Sequence, residues 1–109
     1  MIIACDFDGT ISYAGYPRIG KIDMALVKKL IEARKHGHKV ILRTCRCGDL
    51  LDAAVSYCKG LGLEFDAVNE NVPEITSAFG TDCRKVVADI YLDDKAVLPG
   101  RFKKVFSVK

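Results

Sequence analysis

The sequence predicts an α/β protein built on a parallel sheet with helices packed on both faces. Short apolar runs alternate with amphipathic segments of helical period. The runs are joined by crossovers of about ten or more residues, which suit parallel strands and not hairpins. Two of the runs stop on acid, at Asp6 with Asp8 and at Asp93 with Asp94. Charge at a strand's carboxyl end falls where an open parallel sheet presents its ligand crevice.

IIACDF at residues 2–7 reads as a strand buried on both faces. A loop rich in Gly, Tyr and Pro follows (SYAGYPRIG), and Asp23 is a plausible N-cap for a helix over MALVKKLIEARKH. Leu26, Val27, Leu30 and Ile31 share one face of that helix, Lys28, Lys29, Glu32 and Lys35 take the solvated one, and Gly37 stops it. KVILRT is the second strand and ends at Thr44. The second helix is expected to be capped by Asp49 with Asp52 three positions on, a variant capping box. Its apolar face is Leu50, Leu51, Ala54, Val55 and Cys58, and Gly60 ends it. LEFDAV is expected as a third strand, with Asp66 inside it. Residues 69–84 form an irregular stretch with one short helix after Pro73. ADIYLDD is the fourth strand and KKVFSV a fifth.

The chain has 109 residues and no repeat or linker, which makes residues 1–109 a single domain. A formal charge of +3 is too mild to argue for nucleic acid or a membrane surface. Asp6 interrupts the start before a signal-peptide core could form, and no apolar run approaches the roughly 18 residues of a membrane span. The expectation is a cytoplasmic protein. Five cysteines (Cys5, Cys45, Cys47, Cys58, Cys83) are an odd number and lack paired zinc spacing, so they are expected to be free, mostly packed thiols.

The strand ends gather Asp6, Asp8, Thr44, Asp93 and Asp94 at one pole, and Lys85 lies just upstream of the fourth strand. Carboxylates on rigid strand ends suit Mg²⁺, a hard cation that takes carboxylate, water and phosphate oxygens. An Asp can attack phosphorus, a hydroxyl can hold a phosphoryl oxygen, and a lysine can offset the anionic charge. Arg46, two residues past Thr44, is placed to clamp a second anionic group, with a salt bridge as the competing role. Gly9, Thr10 and Asn69 are further candidates for substrate contact, and Tyr13 or Tyr16 for the rim. His36, His38 and Asp89 fall at the opposite pole and are expected to be structural or solvated.

DFDGT, ILRT, the lysine of CRKVVAD and IYLDD, in that order, resemble the four motifs of the haloacid dehalogenase (HAD) superfamily. The resemblance covers essentially the whole chain. It implies a three-layer, Rossmann-like sheet of five strands in the order 5-4-1-2-3, and Mg²⁺ as cofactor. Asp6 resembles the nucleophile that becomes an aspartyl-phosphate, and Asp8 the general acid and base. Thr44 and Lys85 resemble the phosphoryl-binding and charge-stabilising residues. Asp6, Asp8 (through its backbone carbonyl) and Asp94 are the implied metal ligands, with Asp93 as a second acidic ligand or water-holder. Residues 11–22 and 69–84 are too short for a cap domain, which leaves a capless, open site. The implied activity is hydrolysis of a phosphomonoester by a phosphatase. An open site admits bulky phosphorylated substrates, a phosphorylated nucleic-acid end among them, and suits a homo-oligomer whose second subunit supplies a lid. Two alternatives are a receiver-like domain that accepts a phosphoryl group on Asp66, and a non-catalytic, Mg²⁺-dependent binding module. A thiol-based redox protein using Cys45 or Cys47 is more distant.

Overall fold

The computed structural model describes residues 1–105. Its elements are β1 (Ile2–Asp6), α1 (Met24–Lys35), β2 (Lys39–Arg43), α2 (Gly48–Gly60), β3 (Ala67–Val68), α3 (Pro73–Phe79), β4 (Ile90–Leu92) and α4 (Pro99–Val105). The four described strands are all parallel, in the order β3-β2-β1-β4. The parallel α/β reading therefore holds, and the five-stranded order 5-4-1-2-3 does not. The fifth strand was expected over KKVFSV, but Lys103 to Val105 belong to α4 and the rest of that run lies outside the described residues.

Alternation along the strands divides the core. Ile3 and Cys5 of β1 join Val40 and Leu42 of β2 against Val27 and Leu30 of α1 and Ala54 and Cys58 of α2. The intervening Ala4 and Ile41 face the other way and pack with Ala67, Val72 and Val86, beside Ile75 of α3. A strand with apolar residues on both faces has no polar side, which is why these runs carry no alternating pattern. No described helix is long and apolar enough to cross a membrane.

The caps follow local chemistry. Asp23 caps α1 by accepting from the Leu26 N–H at 3.0 Å. Gly37, at φ +90°, turns the chain after α1 into β2. The α2 capping box does not form: Cys47 is the N-cap without a side-chain bond, and Asp49 sits inside the first turn. There it acts on the helix dipole alone. The amino ends of the strands are tied by side chains. Asp89 accepts from the Ile2 N–H at 2.7 Å, and His38 Nδ1 lies 2.8 Å from the amino terminus. Of the five cysteines, Cys5 and Cys58 are buried, while Cys45, Cys47 and Cys83 are exposed. The expectation of mostly packed thiols is thus corrected. Burial pushes the Cys5 thiol up to about 12 and Cys58 up to about 11, so both are inert packing groups.

Asp66 precedes β3 instead of lying inside it. Its carboxylate takes two bonds from Arg34, at 3.0 and 3.1 Å, and one from the Val40 N–H at 2.7 Å. Burial raises its pKa, but these donors outweigh burial and hold the group below the usual carboxylate range. A carboxyl with a depressed folded-state pKa adds stability above its unfolded pKa, and that stability disappears as pH falls through the folded value. Asp66→Asn should lower stability at neutral pH by about 1–3 kcal/mol and flatten the loss of stability below about pH 4. Urea unfolding across pH 2–7 tests both, and an unchanged acid limb would discount the Asp66 contribution.

Candidate functional site

β1 is the central reference. Its carboxyl end is flanked by β2, with Asp6 opposite Arg43, and by β4, with Cys5 opposite Leu92. Adjacent parallel strands lie about 4.8 Å apart, so Asp93 and Asp94 emerge beside Asp6, and Thr44 emerges on the other side. The chain runs from β1 to β2 and β3 on one flank, then crosses to β4 on the other. The gap between β1 and β4 is thus the switch point of the sheet, where open α/β folds bind ligands.

Asp6, Asp93 and Asp94 meet there, each offering a carboxylate oxygen within 4.8 Å of the other two. Burial raises the Asp6 pKa, the charges of Asp93, Asp94 and Asp8 raise it further, and the Phe7 N–H, bonded at 2.8 Å, offsets part of that. Asp93 also accepts from the Lys95 N–H at 2.9 Å. Gly9, at φ +83°, lies directly against the Asp94 carboxylate, where any Cβ would collide with it. Its role is steric, and its N–H is already bonded to the Ser12 carbonyl. Thr10 is buried with its hydroxyl unpartnered.

Asp8, expected on the metal through its backbone carbonyl, has its side chain committed to another partner. Its carboxylate is engaged by Arg46 through Nε and Nη2, both at 2.8 Å. Arg46 is only 1% exposed. The clamp for a second substrate anion is therefore not what Arg46 presents here, and the competing salt bridge is what forms. Thr44 directly follows β2, with its hydroxyl accepting from the Arg46 N–H at 3.1 Å, which leaves its own O–H free to donate. Asn69, at φ +53°, braces Thr44 by accepting its N–H at 2.8 Å. That makes Asn69 a support of the loop.

Lys85 is exposed and forms no ion pair among the described residues. It lines a recess of about 620 Å³ together with Asp6, Asp93, Arg43 and Tyr91. It also lines an adjoining one of about 440 Å³ with Arg43, Asn69 and Arg84. Arg43 is seated over the Tyr91 ring, 5.3 Å from its centroid. Tyr16 covers Arg46, and Tyr13 lies beside Asp94 in a smaller recess.

Asn71 was not singled out from the sequence. It is buried, donates to Asp82 and to the Cys83 and Lys85 carbonyls, and accepts from the Val87 N–H at 2.6 Å. It thereby sets the path of the loop that carries Lys85. An asparagine in a polar loop gives no signal of burial, so sequence alone could not have found it. Asp66 lies at the amino ends of the strands, bound to Arg34, at the pole opposite Thr44 and the acidic cluster.

A parallel α/β domain with an acidic cluster at its switch point is the class these features define. Comparison gives the family. A solved structure of a conserved protein coded by locus from Bacteroides thetaiotaomicron shares 43% sequence identity with this chain. The match spans 89% of this chain and 78% of that one, with a TM-score of 0.77. The chain belongs to the family of that conserved protein. No family model matches the chain, and no curated protein matches it.

Gly9→Ala should place a methyl against the Asp94 carboxylate in a left-handed backbone region, at a cost of about 1–3 kcal/mol. Thermal unfolding measures this, and an unchanged midpoint would show that Asp94 moves aside freely.

Proposed function

We propose that the protein is a Mg²⁺-dependent phosphomonoester hydrolase of the HAD type that works through an aspartyl-phosphate on Asp6. The observation that carries this is the convergence of the Asp6, Asp93 and Asp94 carboxylates at the β1–β4 switch point. Three carboxylates confined so closely repel one another unless a cation is shared among them. Their hard oxygen donors fit Mg²⁺ and not a softer metal. Asp6, Asp93 and Asp94 would hold the ion, which would offset the negative charge of a phosphoryl group brought beside Asp6.

In this reading an Asp6 oxygen attacks phosphorus and the bond to the leaving oxygen breaks. The Asp8 carboxyl gives its proton to that oxygen. Water then attacks the phosphorus of phospho-Asp6, Asp8 takes the water's proton, and inorganic phosphate leaves with Asp6 restored. The Thr44 hydroxyl donates to a phosphoryl oxygen, and Lys85 supplies a cation at the edge of the same recess. A carboxylate bonded to a guanidinium donates nothing, so Asp8 acts as an acid only after leaving Arg46. The substrate is a phosphorylated molecule admitted to an open, capless site.

The Asp8–Arg46 pair favours one other reading, a Mg²⁺-dependent binding module without turnover. Asp66, tied to Arg34 away from the cluster, lends no support to a receiver-like acceptor.

Release of nitrophenol from para-nitrophenyl phosphate separates the first two readings, backed by a panel of phosphoesters. Hydrolysis should require Mg²⁺, stop with chelator, and fall at least about 10³-fold in Asp6→Asn. Silence across the panel, with Mg²⁺ still raising the thermal midpoint, would transfer the weight to the binding module.

A further inference from the structure

We propose that Arg46 is the positioning residue of this site, fixing the Asp8 carboxylate and the flap over residues 13–20 as one unit. The catalytic half of this inference rests on the hydrolase reading above, and the mechanical half does not.

A guanidinium has five N–H donors, and each one of Arg46 has an acceptor. Nε donates to Asp8 Oδ2 and one Nη2 hydrogen to Asp8 Oδ1. The other Nη2 hydrogen reaches the Arg18 carbonyl at 3.0 Å. The Nη1 pair reaches the Pro17 carbonyl at 3.2 Å and, more weakly, the Leu50 carbonyl at 3.5 Å. Two aromatic rings also lie against the group, with centroids 4.9 Å (Phe7) and 5.3 Å (Tyr16) from Cζ. Its donors are saturated, so the group has no vacancy for a substrate anion. It joins three pieces of chain: the acidic turn after β1, the flap, and the first turn of α2. Asp8 is the only charged acceptor among them.

The flap has a frame of its own. The Tyr13 N–H bonds the Lys21 carbonyl, the Arg18 N–H bonds the Gly15 carbonyl, and the Gly20 N–H bonds Ser12 Oγ. Its tip, however, is joined to α2 through Arg46 at Pro17 and Arg18. Lifting the tip strips two acceptors and one aromatic face from a buried cation, and freeing Asp8 strips its counter-charge. Either event makes the other easier, because a buried guanidinium tolerates neither loss alone. Flap opening and release of Asp8 are therefore a single step.

The test has two arms. Hydrogen exchange at the Tyr13, Arg18 and Gly20 amides should quicken about tenfold in Asp8→Asn and at least as much in Arg46→Lys. Asp8→Asn keeps the shape of the turn, and it decides this arm alone if Arg46→Lys does not fold. Flap exchange unchanged in Asp8→Asn would overturn the coupling. The second arm compares phenyl phosphate with para-nitrophenyl phosphate, since phenolate needs a proton on departure far more than nitrophenolate does. Because Asp8 gives its proton only after leaving Arg46, Arg46→Lys should raise the kcat ratio of phenyl phosphate to the nitrophenyl ester about tenfold, and a fall in that ratio would overturn the role. Equal losses on both would overturn the positioning role and leave Arg46 as packing. A native protein with no turnover would refute the hydrolase reading alone, and the exchange arm would still decide the coupling.

Discussion

The molecule is organised by a constraint on β1. This strand is paired on both edges and packed on both faces, so no polar side chain can be accommodated along it before Asp6. Charge can emerge only where the strand leaves the sheet. β4 is the edge strand of the described sheet, with Ile90 and Tyr91 exposed, and its register with β1 ends at Leu92, one residue before the acids. Placed side by side in parallel register, the two strands deliver the carboxylates that follow them to one point. The acidic cluster is therefore a consequence of the pairing of β1 with β4, and slipping that register would separate it.

Arg46 solves a second problem created by the same geometry. The turn after β1 places Asp8 close to a cluster that is already negative. A cation that draws the Asp8 carboxylate aside relieves this repulsion, and a guanidinium can do so while bonding backbone carbonyls with its remaining donors. Lysine, with three donors on a tetrahedral nitrogen, could not serve three chain segments in one plane. The interaction is costly to bury and retained only because every donor is matched. The flap gains its attachment from donors that the acid does not use.

Much of this was legible in the sequence, for identifiable reasons. β1 and β2 are apolar runs bounded by charge, and α1 carries a clean apolar stripe with Asp23 before it and Gly37 after it, so local chemistry and fold agree. LEFDAV was less legible, since its strand narrows to Ala67–Val68 once Asp66 turns to Arg34. KKVFSV has strand composition, yet Lys103 to Val105 continue the helix begun at Pro99. The acidic cluster could be read from strand ends because position along a strand is a one-dimensional property. Whether Arg46 faces a substrate or Asp8 depends on the path of the flap, which no spacing encodes. Asn71 was invisible for the same reason.

The site combines two opposite demands on charge. Asp6, Asp93 and Asp94 form an acidic cluster at the strand ends, where burial and the neighbouring charges raise the Asp6 pKa. Around it, Arg43, Arg84 and Lys85 form a basic rim with no carboxylate paired to any of them among the described residues. Acids and cations share one recess, lined by Asp6, Asp93, Arg43 and Lys85, without an ion pair between them among the described residues. A lone anion would be repelled by the cluster, and a lone cation would leave the rim unanswered. A divalent cation seated on the carboxylates with a phosphoryl group beside it satisfies both at once. This complementarity of a pair, more than any one residue, is the physical argument behind the proposal of phosphate chemistry at the end of β1.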